Sequence, residues 1–477
     1  MNELREVPFP AASHWINGRA VPGSGPLIDV LNPADDSVIA SVHEGTAEDV
    51  DRAVEAALAA FPGWSATSPG DRVTVIRRLA EGIQQRSEAL AATITLEMGA
   101  PIAFSRQAQA AFPVASTLAA ITAVERFEWT EEIENSLIIH EPIGVVGAIT
   151  PWNFPLQQVV TKVVPALLAG CTVVLKPSEI SPLSARMFAE IATGAGLPDG
   201  VLNVVQGTGA VVGEAIARHP KIDMVSFTGS TTAGKRVSAA ASDTVKRVAL
   251  ELGGKAAHIV LPDADLDFAV ERGLAYAWAN GGQACGAYTR MLVPQDLQDR
   301  VVEKLRAAAQ QYTVGDPADE STRIGPVASE TQRRRVDGYV RHGIADGATL
   351  VVGGPGRPAG LETGAYVRPT IFSDVDPDSV IAQEEIFGPV LVVIPYTDDD
   401  HAVEIANGTV YGLSGAVTGD EEHAMAIARR LRVGQVDVNG GKHNFQAPFG
   451  GYKQSGNGRE MGRAGIAEFL ETKAITR

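Results

Sequence analysis

The chain has 477 residues, 45% of them hydrophobic and 20% charged, with 57 acidic against 40 basic side chains and a formal net charge of −17. This length allows about two to four domains, and the balance is that of a soluble globular chain with a sizeable core. The acidic excess repels phosphate backbones and argues against nucleic-acid binding as a main role.

The opening stretch MNELREVPFPAASHW has no basic segment followed by an apolar run, so no secretory leader is expected. Residues from about 46 to 125 read as helical. Thr46 with Asp49 resembles a capping box ahead of VDRAVEAALAAF, and Ser68 with Asp71 a second, with Pro69 at the first helical position. The segment RFEWTEEIENSLIIHEPIG alternates like an extended hairpin. From about 144 short apolar strands alternate with helices. GVVGAITP, CTVVLKP, GVLNVVQG, IDMVSFTGS and VKRVALELGG read as strands; SPLSARMFAEIATGAGLP, AVVGEAIARH and TAGKRVSAAAS read as helices. Ser181-Pro182 would open the first of these helices. This β-α-β-α rhythm predicts a doubly wound parallel sheet. The most apolar run, Val159 to Leu175, contains Thr161, Lys162, Pro165 and Gly170, and is too short and too interrupted to span a bilayer.

A second α/β run begins after Gly254. AAHIVLP reads as a strand and DADLDFAVERGLAYAWANGGQ as a long helix. RMLVP, IFGPVLVVIPY and QVDVNG are further strands, with helices at about 296–311, 400–407 and 420–432. The basic run Arg333-Arg334-Arg335 reads as a solvated helix face. LETKAITR reads as a closing strand. Two α/β blocks on one chain imply a cofactor domain and a catalytic domain with a cleft between them.

Several chemistries are ruled down. The nine histidines form no HExxH and no ligand cluster, so no metal site is expected. No serine lies in a GxSxG turn. GSTTAGKR, Gly229 to Arg236, nearly matches the phosphate-binding loop GxxxxGK[ST], but Arg236 stands where a hydroxyl would hold magnesium. A strand, a Gly-Ser turn and a helix starting near Thr231 still offer free backbone N–H groups to an anion. QGTGAVVG is a second, weaker Gly-rich turn. Two cysteines, Cys171 and Cys285, make no disulfide framework and no CxxC, which points to a reducing, cytoplasmic setting. Cys171, among apolar residues, reads as packed core. Cys285 sits where a long helix gives way to a Gly- and Ala-rich turn. Glu251, between leucines at a strand end, is either a solvent-facing end or a carboxylate that is costly to bury without a purpose.

Seven short motifs remain: TPWNFP, KPSE, FTGS, LELGGK, GQAC, EEIFGPV and PFGGYKQSG. Together, in this order and spacing from Ile149 to about Gly465, they resemble the aldehyde dehydrogenase superfamily. The resemblance implies an α/β fold with a Rossmann-type cofactor domain (1–125 and 144–254), an α/β catalytic domain (255–455) and a small β oligomerisation arm (126–143 and 456–477). It implies Cys285 as nucleophile, Glu251 as general base, and Asn153 as oxyanion donor with the Cys285 backbone N–H. Lys176 and Glu179 match residues that hold the adenosine ribose, and Lys176 also belongs with the catalytic set. Gly229 and Ser230 match the pyrophosphate turn, preceded by Phe227. Glu385 and Phe387 match contacts on the nicotinamide side. Ile149, Thr150, Pro151, Trp152, Ser178, Gly209 and Leu252 fall on further cofactor positions.

The expected reaction is oxidation of an aldehyde to a carboxylic acid, with NAD as cofactor and NADP possible. Glu251 argues for hydrolysis, because family members that acylate coenzyme A generally lack this glutamate. Glu179 favours NAD, since a carboxylate accepts from ribose hydroxyls but repels a 2′-phosphate. The position of the arginine in succinate-semialdehyde enzymes is Thr161 here, against a dicarboxylic substrate. Small Ala284, Gly286 and Ala287 leave room beside the thiol. Phe154, Gln157, Gln158, Phe445 and Phe449 suit an apolar or aromatic aldehyde. The terminal strands imply a homodimer or a homotetramer, because their edges would otherwise be exposed. Three other readings stand beside this one: a non-catalytic binding protein on the same fold, an ATP-dependent enzyme, and a coenzyme A-acylating dehydrogenase.

Overall fold

The computed structural model describes residues 14–477; most of the opening stretch, where no leader was expected, and the start of the 1–125 segment lie outside the described residues. Four helices, Ala47–Ser65, Pro69–Gln85, Ser87–Met98 and Ala111–Glu125, fill the early helical region. The first expected capping box forms in full, and the second reduces to a simple Ser68 cap. Thr46 Oγ1 accepts from Asp49 N (3.2 Å) while Thr46 N donates to Asp49 Oδ2 (2.8 Å), and Ser68 Oγ accepts from Asp71 N (3.1 Å) ahead of Pro69. Each such cap contributes about 1 kcal/mol.

The first large sheet has the strand order Arg247–Glu251, Met224–Thr228, Val145–Ile149, Thr172–Lys176, Leu202–Val204, His14–Ile16, Arg19–Val21. The first five strands are parallel, and the last two join antiparallel. From Val145–Ile149 the chain winds outward through two strands on one side, then returns to lay two more on the other. The reversal creates a switch point between Val145–Ile149 and Met224–Thr228, where doubly wound folds bind ligands beyond the carboxyl ends of their strands. The second sheet runs Thr349–Val352, Thr370–Ser373, Val390–Tyr396, Arg290–Pro294, Ala257–Val260, Ser414–Thr418, Gln435–Val438, parallel except for its first strand. A three-stranded antiparallel sheet joins Leu470–Thr476, Ser136–Pro142 and Thr130–Ile133, so the expected hairpin and closing strand pair with each other.

The apolar run from Val159 is divided between helix Pro155–Ala169, buried on nearly every face, and strand Thr172–Lys176, buried throughout. A helix apolar all round belongs inside a core. Among the described residues no helix is long and apolar enough to cross a membrane. Cys171 is fully buried; its Sγ lies 3.3 Å from the Phe469 carbonyl, and burial pushes the thiol up to about 12.

Four sequence expectations need correction. Helix Leu183–Gly194 is not capped by Ser181, whose hydroxyl donates to the Trp152 carbonyl (3.2 Å); Glu97 caps it instead, accepting from Leu183 N (2.7 Å) and Ser184 N (3.2 Å). The segment AVVGEAIARH begins as a π-helix, Gly209–Gly213, before the α-helix Glu214–Arg218. The long helix before the Cys285 turn stops at Trp278, because Asn280, Gly281 and Gly282 take φ of 54°, 65° and 72°. Such left-handed residues cannot continue a right-handed helix. The strands of residues 14–43, Thr349–Val352, Thr370–Ser373 and Ser414–Thr418 carry no clear alternation and were not anticipated.

Glu97 is wholly buried, and desolvation raises its carboxyl to about 7 against the pull of the two amides it caps. Glu97→Ala leaves both amides and a cavity behind. It is expected to cost about 3 kcal/mol in urea unfolding, whereas a surface glutamate changed in the same way should cost little.

Candidate active site

Strand register builds the first row of the site. Ile149 pairs with Lys176 on one side and Phe227 on the other, and Thr228 pairs with Glu251. The ends of TPWNFP, KPSE, FTGS and LELGGK therefore stand side by side at the carboxyl edge of one parallel sheet. Behind Ile149 the chain turns through Thr150–Phe154 into Pro155, a proline at the first helical position. Thr150 N donates to the Lys176 carbonyl (3.1 Å). Pro151 and Trp152 follow, half-buried.

Asn153 is held at both ends. Its Nδ2 donates to the Gln283 carbonyl (3.0 Å), and its own carbonyl accepts from Gln109 Nε2 and Asn280 Nδ2, each at 2.9 Å. One of its two amide hydrogens stays free for a further acceptor. Gln283 in turn donates to the Asn280 carbonyl (2.9 Å) and accepts from Ala328 N (2.8 Å). These bonds tie the loop before Cys285 to the PWNFP turn. Gln109 was missed in the sequence because nothing in its alanine-rich segment marks it. Asn280 and Gln283 carried a signal: long polar side chains inside a Gly-rich stretch.

Cys285, flanked by Ala284 and Gly286, is partly exposed. In the chain by itself desolvation pushes its thiol up to about 12, with further contributions from Glu385, Glu251 and Glu460. The glycines of LELGGK now have a reason. A Cβ on Gly254 would lie 2.6 Å from the Cys285 carbonyl, and one on Gly253 would collide with the Glu385 carboxylate. Gly254 N donates to Glu385 Oε1 (3.0 Å), and burial raises Glu385 to about 7.

Glu251 is 4% exposed, and neither carboxylate oxygen has a hydrogen-bond partner among the described residues. The solvent-facing reading is therefore overturned. Desolvation and the neighbouring Glu460 hold its pKa well above the usual carboxylate range, against Lys162 and Arg459. Lys162 Nζ pairs with Glu460 Oε1 at 2.8 Å, also buried. A Cβ on Gly450 would come 2.7 Å from Glu251 Oε1, and one on Gly458 3.2 Å, so PFGGYKQSG and the turn after it form one wall of this chamber.

The anion turn is intact but is not an ATP loop. Ser230 caps helix Thr231–Ala241, accepting from Ala233 N (3.2 Å), and Gly229 N donates to the Glu251 carbonyl (3.1 Å). Phe227 lies under it: a Cβ on Gly229 would come 2.6 Å from the Phe227 ring. Lys235 is committed to Gln454 Oε1 (2.9 Å) and Arg236 to Glu214 (3.0 Å). Lys176, 3% exposed, pairs with Glu179 (3.0 Å), and Ser178 Oγ accepts from Ile180 N (3.2 Å). Gly209 opens the π-turn with open space around its α-carbon, while the Leu252 side chain packs against Gly234.

Phe387 takes φ of 61° and sets its ring edge-on to Trp152, centroids 5.4 Å apart. Helix Glu330–Ala345 holds this strained residue in place: Gln332 Nε2 donates to the Phe387 carbonyl (2.7 Å) and Arg335 Nη2 to the Glu385 carbonyl (2.8 Å). The solvated-face reading of Arg333-Arg334-Arg335 holds for Arg334 and Arg335, both exposed, and needs correction for Arg333, which is paired with Glu330 and Asp337 and only 12% exposed; Arg335 also donates to the EEIFGPV backbone.

The six expected substrate-side residues have the following neighbours. Phe154 meets Phe104 (6.2 Å), whereas Phe445 belongs to a group with Phe112 (5.5 Å) and His443 (4.5 Å). Gln157 donates to Ser116 (2.7 Å), and Gln158 Oε1 is buried without a partner. Phe449 pairs with Glu460 through the backbone, and Ala284 adjoins the thiol. Among the described residues no group of side chains could hold a metal ion.

Comparison with known proteins identifies the family. The sequence profile of the aldehyde dehydrogenase family matches residues 21–475. A 3-succinoylsemialdehyde-pyridine dehydrogenase from Pseudomonas sp. is 48% identical over 477 residues, covering 100% of this chain and 99% of the relative. A mutant of aldehyde dehydrogenase C from Pseudomonas syringae, solved with NAD+ and octanal, superposes with a TM-score of 0.97 at 51% identity, covering 98% of this chain and 97% of that one. A mutant of the P. syringae indole-3-acetaldehyde dehydrogenase, solved with NAD+ and IAA, gives 0.96 at 38% identity, covering 100% and 98%. The chain belongs to the aldehyde dehydrogenase family.

Proposed function

We propose that this aldehyde dehydrogenase oxidises apolar or aromatic aldehydes to carboxylic acids through a covalent adduct on Cys285, with NAD as its cofactor. The single observation that carries this reading is the convergence of Cys285, Asn153 and an unpaired, buried Glu251 beside the switch point of the parallel sheet.

The residues present fit a dinucleotide. Helix Thr231–Ala241 starts at the switch point, and its first-turn amides lack intrahelical acceptors. Thr150 Oγ1 and Thr228 Oγ1, buried at the same strand ends, have no partner among the described residues. Glu179, held by Lys176, would accept from ribose hydroxyls. Glu385 and Phe387 would face the other ribose, and Ile149, Trp152 and Phe227 would supply apolar walls. Bound NAD would supply the hydride acceptor.

The chain's own steps follow from aldehyde chemistry. An aldehyde carries no leaving group except hydride, so a tetrahedral adduct must form first. The Cys285 thiolate makes that adduct. The developing oxyanion meets the free amide hydrogen of Asn153 and the Cys285 backbone N–H; one such donor is worth about 3 kcal/mol. Loss of hydride leaves a thioester on Cys285. Glu251, with no partner competing for its oxygens, takes a proton from the water that hydrolyses it. The substrate class rests on the Phe104–Phe154 and Phe112–His443–Phe445 rings and on the absence of a cationic side chain at Thr161. The relatives described above, named for or bound to pyridyl, octyl and indolyl compounds, support the same class.

An aldehyde panel followed by NADH absorbance, with and without coenzyme A, tests the reading. Activity is expected without coenzyme A, with larger apolar aldehydes preferred. A strict coenzyme A requirement would replace hydrolysis by acyl transfer, and a preference for short hydrophilic aldehydes would remove the substrate class. Higher kcat/KM with NADP than with NAD would reverse the role given to Glu179.

We further propose a homodimer or a dimer of dimers. Strand Thr130–Ile133 is exposed throughout, and Ile133 and Ile475 expose 50% and 45% of their surfaces on the same sheet. Open edges of this kind recruit another chain. Light scattering at micromolar concentration should give at least twice the mass of one chain; a monomer mass overturns the proposal.

A further inference from the structure

A cluster outside the reacting residues joins three elements. Asp437, on the edge strand Gln435–Val438, is only 10% exposed in its side chain. Its Oδ2 accepts from Arg272 Nη2 (2.6 Å) and Tyr288 Oη (3.2 Å), and its Oδ1 accepts from Gly441 N (2.6 Å). Arg272, on helix Leu266–Trp278, also donates to the Gly441 carbonyl (3.3 Å). Both polar groups of Gly441 are therefore gripped by one ion pair. The guanidinium lies over the Tyr276 ring (4.1 Å), and Tyr276 stacks on Tyr288 with centroids 4.8 Å apart and planes 8° from parallel. Tyr288 lies three residues beyond Cys285.

The gripped glycine is the third residue of the loop 439–446. Asn439 and Gly440 turn the chain through φ of 51° and 74°, and a Cβ on Gly440 would lie 2.8 Å from the Phe268 ring. The far end is tied to helix Ala111–Glu125, where Gln446 Nε2 donates to the Ala119 carbonyl (3.3 Å). Between the two ties, His443 and Phe445 reach across to Phe112 on the same helix. One anchor is thus a weak single bond, and the other is a charge-assisted network backed by stacked rings. Charge-assisted bonds of this kind are about twice as strong as neutral ones.

We propose that Asp437 and Arg272 are positioning residues for substrate selection: they clamp loop 439–446 so that His443 and Phe445 close on Phe112, and this closure favours aldehydes with an aromatic or long apolar tail over short ones. The proposal rests on the substrate class given above. Neither residue touches the reacting atoms. The clamp works through the rings it places, so it acts only on substrates long enough to reach them. On this reading a short aldehyde such as propanal would not reach the rings, whereas the ring of phenylacetaldehyde would.

The test uses the full-length Asp437→Asn and Arg272→Met enzymes. Oxidation of phenylacetaldehyde and of propanal gives KM and kcat, and tryptic cleavage after the exposed Lys442, followed by mass spectrometry, reads the loop itself. Both variants should raise KM for phenylacetaldehyde by about tenfold with kcat nearly unchanged, the size of effect that an apolar contact gives in substrate discrimination. The KM for propanal should stay put, and cleavage after Lys442 should accelerate. Parallel losses on both aldehydes in both variants would assign the cluster to general stability and overturn the proposal. Unchanged cleavage after Lys442 would overturn the clamp, and faster cleavage with an unchanged KM ratio would overturn its role in selection. A wild-type enzyme with no preference for phenylacetaldehyde would fail at the substrate class instead, a result visible before any variant is made.

Discussion

Cys285→Ala is expected to abolish NADH formation from every aldehyde, with a loss of at least about a thousandfold, since removing a covalent nucleophile removes the step that makes hydride departure possible. Cofactor binding should survive, because the dinucleotide-facing residues belong to the other strand ends. Quenching of protein fluorescence on NAD addition would show this. Cys171 serves as the internal control: it is fully buried, and Cys171→Ser should leave kcat within about twofold, as a packing change far from the site would. The thiol itself offers a second readout. Burial holds Cys285 at about 12 in the chain alone, so the nucleophilic form is scarce at neutral pH. Iodoacetamide alkylation of the cofactor-free enzyme should therefore rise about tenfold per pH unit between neutral and about pH 9, following the thiolate fraction. A rate that stays flat over that range would mean that the thiolate is already formed. Wild-type-like turnover in Cys285→Ala would sink the covalent mechanism.

Much of this site was legible because its chemistry sits in short motifs at strand ends. A parallel sheet brings such ends together whatever the loops do, so Ile149, Lys176, Thr228 and Glu251 fall into one row by register alone. The strand-helix rhythm and the capping boxes were legible for the same local reason. Long-range partners were not. Gln109 lies 44 residues from the Asn153 carbonyl that it binds, and Glu97 caps a helix 86 residues away. No pattern of spacing announces either contact. The basic run shows a smaller gap: Arg335 is exposed, as its sequence suggests, yet it also reaches the Glu385 carbonyl, a contact that only the folded chain reveals. The ring groups around Phe104 and Phe112 were hidden in the same way. Their helical segments read as ordinary core, and the loop that brings His443 and Phe445 across has no regular structure to predict.

Glu251→Gln should separate the two halves of the reaction. In the proposed mechanism, formation of the adduct and departure of hydride use Cys285 and Asn153, so a first burst of NADH equal to the enzyme concentration should persist. Hydrolysis of the thioester needs the base, and steady-state turnover should fall about a hundredfold or more. The pH dependence follows from the direction of the shift. Glu251 is held well above the usual carboxylate range by burial and by Glu460, so it is protonated, and unable to act as a base, up to an unusually high pH. Wild-type turnover should therefore climb as pH rises through that value and then level off, while the Gln variant loses the climb. Stability moves the other way. A carboxyl whose folded pKa lies above its unfolded value makes no difference below the unfolded value and penalises folding as pH rises toward the folded one. Glu251→Gln should match the wild type in thermal unfolding at about pH 4 and gain on it steadily toward alkaline pH. A site that gives up stability to keep a base unpaired has the signature of function rather than packing. An unchanged steady-state rate in the Gln variant would remove Glu251 from catalysis. A stability difference that does not widen with pH would remove the buried, uncompensated carboxylate on which its role as base depends.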